Sequence, residues 1–201
     1  AEQKMRHLIQ TKNEINKRLG GAATISEFLV RYKKLQEERL ERGEIKLNTY
    51  KQKGSPLKVL EEFYGQRKMD EITVKDVVSI LDDYKERGHN RMGQIFRKVA
   101  IDVFTEAQQV GEVPAGFNPA LASKKPHVKI TRQRLTLEEW VLIFNAAEKD
   151  NYFLQRGMQL AILTGQRLSD ICNMKFSDIM EGCLCIKQSK TGFKLAIPLE
   201  L

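Results

Sequence analysis

Two cations carry the most specific chemistry in this 201-residue sequence. Arg167 stands in Leu163-Thr164-Gly165-Gln166-Arg167-Leu168-Ser169-Asp170-Ile171, at a turn that opens an apolar stretch. Lys190 stands in Gln188-Ser189-Lys190-Thr191-Gly192, a glycine-marked turn between two strand-like runs. Arginine offers a planar fork that grips two oxygens, and lysine is a mobile donor that can also lose a proton. A pair presented in this way suits a phosphate held between them. Taken singly, each residue reads as ordinary: a surface arginine at a helix start and a lysine in a turn. The specificity lies in the whole string.

The elements that must position the pair follow from periodicity and punctuation. Thr136-Leu137-Glu138-Glu139 has capping-box spacing and predicts helices over about 137–149 and 152–163. A further helix after Arg167 carries Leu168, Ile171, Cys172 and Met174. Phe176-Ser177-Asp178-Ile179 reads as a turn into a strand over 183–187, which the turn 188–193 reverses into a second strand over 194–198. Upstream, residues 1–22 read as a connecting helix closed by Gly20-Gly21. Residues 23–113 read as a helical bundle. In the bundle, Thr24-Ile25-Ser26-Glu27 and Thr73-Val74-Lys75-Asp76 are box-like starts, and Ile25, Phe28, Leu29, Tyr32 and Leu35 share a face. Asn48-Thr49 is the expected cap of the second helix. Gly54-Ser55-Pro56 is expected to interrupt it, because proline suits the first turn of a restarted helix better than an interior. The last bundle helix is expected from about Asn90 to Val110. Residues 114–134 hold Pro114, Gly116, Pro119 and Pro126 among basic residues and predict an extended, exposed linker. Residues 135–201 form the last unit. The fold class is therefore mainly α with a small β-hairpin (α+β).

Composition narrows the partners. Charged residues make up 30% of the chain and hydrophobic residues 41%, the balance of a globular protein. No stretch approaches a membrane span, and the charged segment Ala1–Leu19 lacks the apolar core of a secretory signal. The net charge of +8 is uneven. Residues 135–201 hold 7 basic and 8 acidic side chains, net −1, and residues 1–134 hold the remaining 27 and 18, net +9. A polyanion is the natural partner of such a surface, although a solvated lysine-rich helical surface gives the same count. In the linker, Lys124, Lys125, Lys129, Arg132 and Arg134 have no helix face to solubilise and suit a phosphate backbone. Cys172, Cys183 and Cys185 fit reduced thiols, with Cys183 and Cys185 on one strand face and expected in the core.

The order of a basic bundle, a basic linker, a TGQR turn and a hairpin with a lysine at its tip resembles the tyrosine recombinases, closest to lambdoid phage and prophage integrases. Thr164–Ile179 and Gln188–Gly192 with Ala196-Ile197-Pro198 carry the resemblance. It implies a core-binding helical bundle linked to the N-terminal part of a mixed α/β catalytic domain, and strand exchange through a 3′-phosphotyrosyl intermediate. Arg167 then resembles the arginine that neutralises the non-bridging oxygens of the scissile phosphate, and Lys190 the general acid that protonates the departing 5′-hydroxyl. Asp170 resembles the acidic residue that supports the site from behind. Proposed DNA contacts are Lys46, Asn48, Thr49, Lys51, Gln52 and Lys53 in one cluster and Arg91, Gln94, Arg97 and Lys98 in another. The basic linker residues join these two clusters. The partners implied are double-stranded attachment-site DNA and other integrase protomers, as a tetramer on DNA in the full-length form, in the cytoplasm of a bacterial host. No cofactor, metal or nucleotide is implied, because the phosphotyrosyl bond conserves the energy of the cut strand.

The family's later His-x-x-Arg motif, a further His or Trp and the tyrosine nucleophile have no counterpart among the residues after Lys190. The five tyrosines (Tyr32, Tyr50, Tyr64, Tyr84 and Tyr152) all precede Arg167, and His7, His89 and His127 fall in other segments. The expectation is an N-terminal portion of an integrase, a piece or a decayed gene product, that binds DNA without cutting it. A non-catalytic DNA-binding module that occupies recombination sites is the alternative. A type IB topoisomerase fragment ranks below both.

Overall fold

The computed structural model describes residues 22–129, 133–150 and 152–200. The connecting helix expected over 1–22 lies almost wholly outside the described residues. The chain divides into two compact units, Ala1–Ile130 and Thr131–Leu201.

The first unit is a helical bundle. Helix α1 (Ile25–Glu41) opens on the predicted capping box: Glu27 N donates to Thr24 Oγ1 at 3.3 Å, and Thr24 N donates to Glu27 Oε2 at 2.9 Å. Its face Ile25, Phe28, Leu29 and Tyr32 is buried, as the 3.6-residue period requires. Helix α2 (Leu47–Tyr64) departs from expectation twice. Its N-cap is Lys46, which makes no side-chain cap bond, and it runs unbroken through Gly54-Ser55-Pro56. An interior proline costs about 3 kcal/mol. Pro56 is buried beside Leu57 and Leu60, and burying two leucines returns about 1.5–3 kcal/mol each, which is enough to keep the helix whole. Helix α3 (Val74–Glu86) begins on the Thr73–Asp76 box and ends at Gly88, whose φ of 72° lets His89 N reach back to Tyr84 O. Helix α4 (Asn90–Gln109) is the central element. It packs against α1, α2 and α3 and buries Phe96, Val99, Ala100, Val103, Phe104 and Ala107.

The stretch from Pro114 to Ser123 is not the extended, exposed linker its composition suggested, whereas residues 124–129 have no regular secondary structure and are largely exposed. Val113 and Ala120 are buried, and a short helix α5 (Pro119–Ala122) packs on α4. The Asn118 side chain caps α5 by accepting from Leu121 N and donates to Ile101 O on α4. Prolines and glycines were read as linker punctuation, but here they shape a turn that closes over the core.

The second unit begins with α6 (Leu137–Asp150), where Thr136 and Glu139 make the expected reciprocal box. It packs against α7 (Tyr152–Thr164). The helix after Arg167 is a single turn, α8 (Leu168–Ile171), so Cys172 and Met174 lie beyond it. The predicted hairpin is present as β2 (Cys183–Lys187) and β3 (Lys194–Pro198), antiparallel with Cys185 opposite Ala196. A two-residue strand β1 (Ile179–Met180) adds to β2, in the segment read as a turn, and makes a three-stranded sheet. Leu184 and Ile186 take the buried face of β2, so Cys183 and Cys185 sit half-buried on the other face and not in the core. The chain is thus mainly helical with a small antiparallel sheet.

Candidate functional site

In the second unit, α7 ends at Gly165, whose φ of 63° turns the chain, and Arg167 follows in extended conformation as the residue before α8. One helical turn later Asp170 is 3% exposed. Its Oδ1 accepts from Ser189 N at 2.8 Å and from Ser189 Oγ at 2.6 Å, so a buried carboxylate is tied to the backbone beside Lys190. Charge-assisted bonds of this kind are among the strongest a neutral donor makes. Arg167 Nη1 lies 3.8 Å from Asp170 Oδ2 and donates to Gln188 Oε1 at 3.1 Å, with the arginine side chain about half exposed. Gln188 Nε2 donates in turn to Gln166 Oε1 at 3.0 Å, and Thr191 Oγ1 donates to Gln188 Oε1 at 2.8 Å. The turn is closed by Gly192 N to Gln188 O and Gln188 N to Phe193 O, both 2.8 Å, which leaves Lys190 exposed at its tip. Arg167, Asp170 and the Lys190 turn, distant in sequence, are therefore parts of one hydrogen-bonded frame. Such a frame can offer an anion one fixed and one movable cation. Gln166, Gln188, Ser189 and Thr191 hold it together. As letters of the motif strings these four residues carry no signal of that work, which the pairing register of the hairpin reveals.

In the first unit, a groove of about 800 Å³ lies along α2 and α4. Because α2 is continuous, residues 46–53 sort by helical face: Thr49, Gln52 and Lys53 line the groove, whereas Lys46, Asn48 and Lys51 are exposed elsewhere on the helix. Thr49 and Gln52 are exposed, and so are Arg91 and Lys98 from α4 and Lys125 after α5. The groove thus carries a positive rim with amide and hydroxyl groups.

Three of the expected DNA contacts also make hydrogen bonds within the bundle. Lys53 Nζ donates to Asp102 Oδ2 at 2.6 Å, Gln36 Oε1 at 2.7 Å and Tyr32 OH at 3.0 Å, which uses all three of its donors. Tyr32 OH also donates to Asp102. Burial, and then the Asp102 carboxylate, push the Tyr32 hydroxyl well above its ordinary value. Burial works to raise Asp102, but the hydrogen bonds from Lys53 and Tyr32 win and hold its carboxyl below the ordinary range. Arg97 donates through Nε and Nη2 to Ser123 O, Ser123 Oγ and Leu121 O, clamping α5 onto α4. Gln94 Nε2 donates to Pro126 O, and its Oε1 accepts from Arg91. Lys124, Lys129 and Arg134 are exposed, and Arg132 lies outside the described residues. No sequence signal separated Lys53 and Arg97 from their exposed neighbours, because their partners sit on distant segments.

A protein-family model described as the phage integrase family matches residues 133–201. The prophage integrase IntE of Escherichia coli (strain K12) is 49% identical over 201 residues, covering 100% of this chain and 54% of the relative. A lambda integrase dimer bound to a COC′ core site superposes with a TM-score of 0.82 at 33% identity, over 94% of this chain and 52% of that one. A lambda integrase tetramer bound to a Holliday junction gives 0.83, again at 33% identity, over 93% and 52%. The chain spans about half the length of the curated relatives it matches. No helix among the described residues is long and apolar enough to cross a membrane. With the arginine turn and the lysine hairpin joined in one frame, residues 133–201 match the phage integrase family, and phage and prophage integrases align along the whole of this chain.

Proposed function

We propose that this chain is the DNA-binding and phosphate-gripping half of a site-specific recombinase. That recombinase would join phage or prophage DNA to a bacterial chromosome through a 3′-phosphotyrosyl intermediate. The observation that carries the reading is the frame in which Asp170 and Gln188 tie Arg167 to the Lys190 turn. Arg167 receives the non-bridging oxygens, whose charge grows as phosphorus becomes five-coordinate. Lys190, on the turn, protonates the leaving 5′-oxygen. Asp170 holds the turn by Ser189 and stays behind the arginine.

The bundle groove receives duplex DNA. Arg91, Lys98 and Lys125 take phosphates, Thr49 and Gln52 face base edges, and Lys124, Lys129 and Arg134 follow the backbone. Of the other residues in the expected set, Lys46, Asn48 and Lys51 meet the flanking backbone. The duplex is an attachment core site in the cytoplasm of a bacterial cell. The working assembly holds further integrase protomers, consistent with the DNA-bound dimer and tetramer of lambda integrase.

This chain by itself binds DNA and does not cut it. Tyr32, Tyr50, Tyr64 and Tyr84 belong to the bundle, and Tyr32 is committed to Asp102. Tyr152 starts α7, whose far end precedes Arg167, and at 1.5 Å per residue the helix places it about 18 Å from that end. Incubation with a nicked suicide duplex is expected to give a salt-sensitive complex and no covalent adduct. A protein–DNA adduct would overturn the inactivity, and the absence of any complex would overturn the DNA-binding reading.

A further inference from the structure

The Gln188 carboxamide occupies an unusual position in the frame. Its oxygen accepts from the guanidinium of Arg167 and from the hydroxyl of Thr191, inside the Lys190 turn, while its nitrogen donates to Gln166 on the arginine side. A neutral amide oxygen is thus sitting on the Nη1 group that a phosphate oxygen would claim. A charged acceptor makes a bond about twice as strong as a neutral one, so an arriving phosphate displaces Gln188 from Arg167. The two Asp170–Ser189 bonds run through Oδ1 and do not use Nη1, which lies 3.8 Å from Asp170 Oδ2.

We propose that Gln188 is a positioning residue that couples phosphate capture by Arg167 to release of the Lys190 turn. With the empty site, Gln188 ties the turn back to the arginine. With phosphate bound, that tie is lost and the turn pivots on the Asp170–Ser189 contact, which carries the adjacent lysine toward the leaving oxygen. Lysine delivery then follows phosphate capture and does not precede it. The inference rests on the reading of Arg167 and Lys190 as the phosphate-handling pair.

Nuclear magnetic resonance on the isotope-labelled 201-residue chain tests it, with a short DNA duplex as the probe. In the unaltered chain the Arg167 Nε–Hε signal and the Thr191 and Gly192 amide signals are expected to move together, with one midpoint. In Gln188→Ala the Arg167 signal still moves, and the displacement of the turn amides falls by more than half. Thr191→Val removes the side-chain bond from the turn to the Gln188 carboxamide and leaves the two backbone bonds of Gln188, so it should weaken the coupling less than Gln188→Ala does. The dispersed amide signals of Leu184 and Ile186 report that the hairpin is still folded in each variant. Turn amides that shift fully in both variants, or that stay still in the unaltered chain while Arg167 responds, would overturn the coupling and leave the functional reading standing. An Arg167 signal that ignores DNA in the unaltered chain would overturn both.

Discussion

Lys53 separates structural from DNA-binding roles most cleanly, because it lines the groove beside Thr49 and Gln52 while its ammonium is engaged by three partners in the bundle. Consider Lys53→Met, which keeps the aliphatic stem and removes the charge. The ammonium makes three bonds of 2.6–3.0 Å, and its side chain is 15% exposed. Breaking a buried pair from one side costs about 3–5 kcal/mol, because the other charge is left without its partner. Here the surviving partner, Asp102, is 37% exposed, so water screens part of that penalty, and an exposed pair would be worth no more than about 1 kcal/mol. A cost of about 2–3 kcal/mol lies between these limits. For a bundle of this size it corresponds to a fall of about 10–20 °C in Tm. Far-ultraviolet circular dichroism during urea and thermal unfolding measures it, with the m-value expected to stay constant. The same protein, assayed for DNA binding well below its Tm, should keep the wild-type slope of log affinity against log salt. A loss below about 0.5 kcal/mol would refute the buried-network argument. A slope reduced by about 0.9 would put the ammonium on a phosphate after all.

Asp102 supplies a pH signature: its folded carboxyl sits below the ordinary value, so its stabilisation is present above an unfolded value of about 4 and is lost as pH falls through the lower, folded one. Asp102→Asn should therefore be less stable at neutral pH and show a shallower acid loss in urea titrations between neutral pH and about pH 3, whereas parallel curves would count against the assignment. Lys98→Ala, at the exposed rim of the groove, should leave the unfolding free energy within about 0.5 kcal/mol of the original and lower the salt slope of DNA binding by about 0.9, uniformly across duplex sequences. Asp170→Ala removes the acceptor of both Ser189 bonds and should cost about 1–3 kcal/mol, with hydrogen exchange at the Ser189 amide accelerating before that of the β2–β3 ladder. Equal acceleration across the hairpin would mean that the loss is global.

Most of the longer helices, the capping boxes at Thr24, Thr73 and Thr136, the hairpin and the candidate pair Arg167 and Lys190 were legible in the amino-acid order. Each of these depends on contacts a few residues apart: a threonine three positions before a carboxylate, an apolar stripe of period 3.6, or a glycine where φ must be positive. The resemblance of Thr164–Ile179 and Gln188–Gly192 to the integrases was legible for the same reason, since those strings are contiguous. Tertiary structure decided what depends on partners far along the chain. Pro56 broke a local rule, and burial beside Leu57 and Leu60 overrode it, so α2 stayed whole and its polar residues were sorted by face. Lys53 and Arg97 look like their exposed neighbours in sequence, yet Asp102 lies 49 positions from Lys53 and Ser123 lies 26 from Arg97. Their charges are engaged inside the bundle, and local pattern carries no record of that. The link from Arg167 to Gln188 likewise spans 21 positions and exists only once β2 has carried the turn back beside α8. The amino-acid order by itself thus determined which groups could hold a phosphate. The packing of distant segments decided which of the chain's cations are engaged inside the bundle, because those partners lie far along the chain.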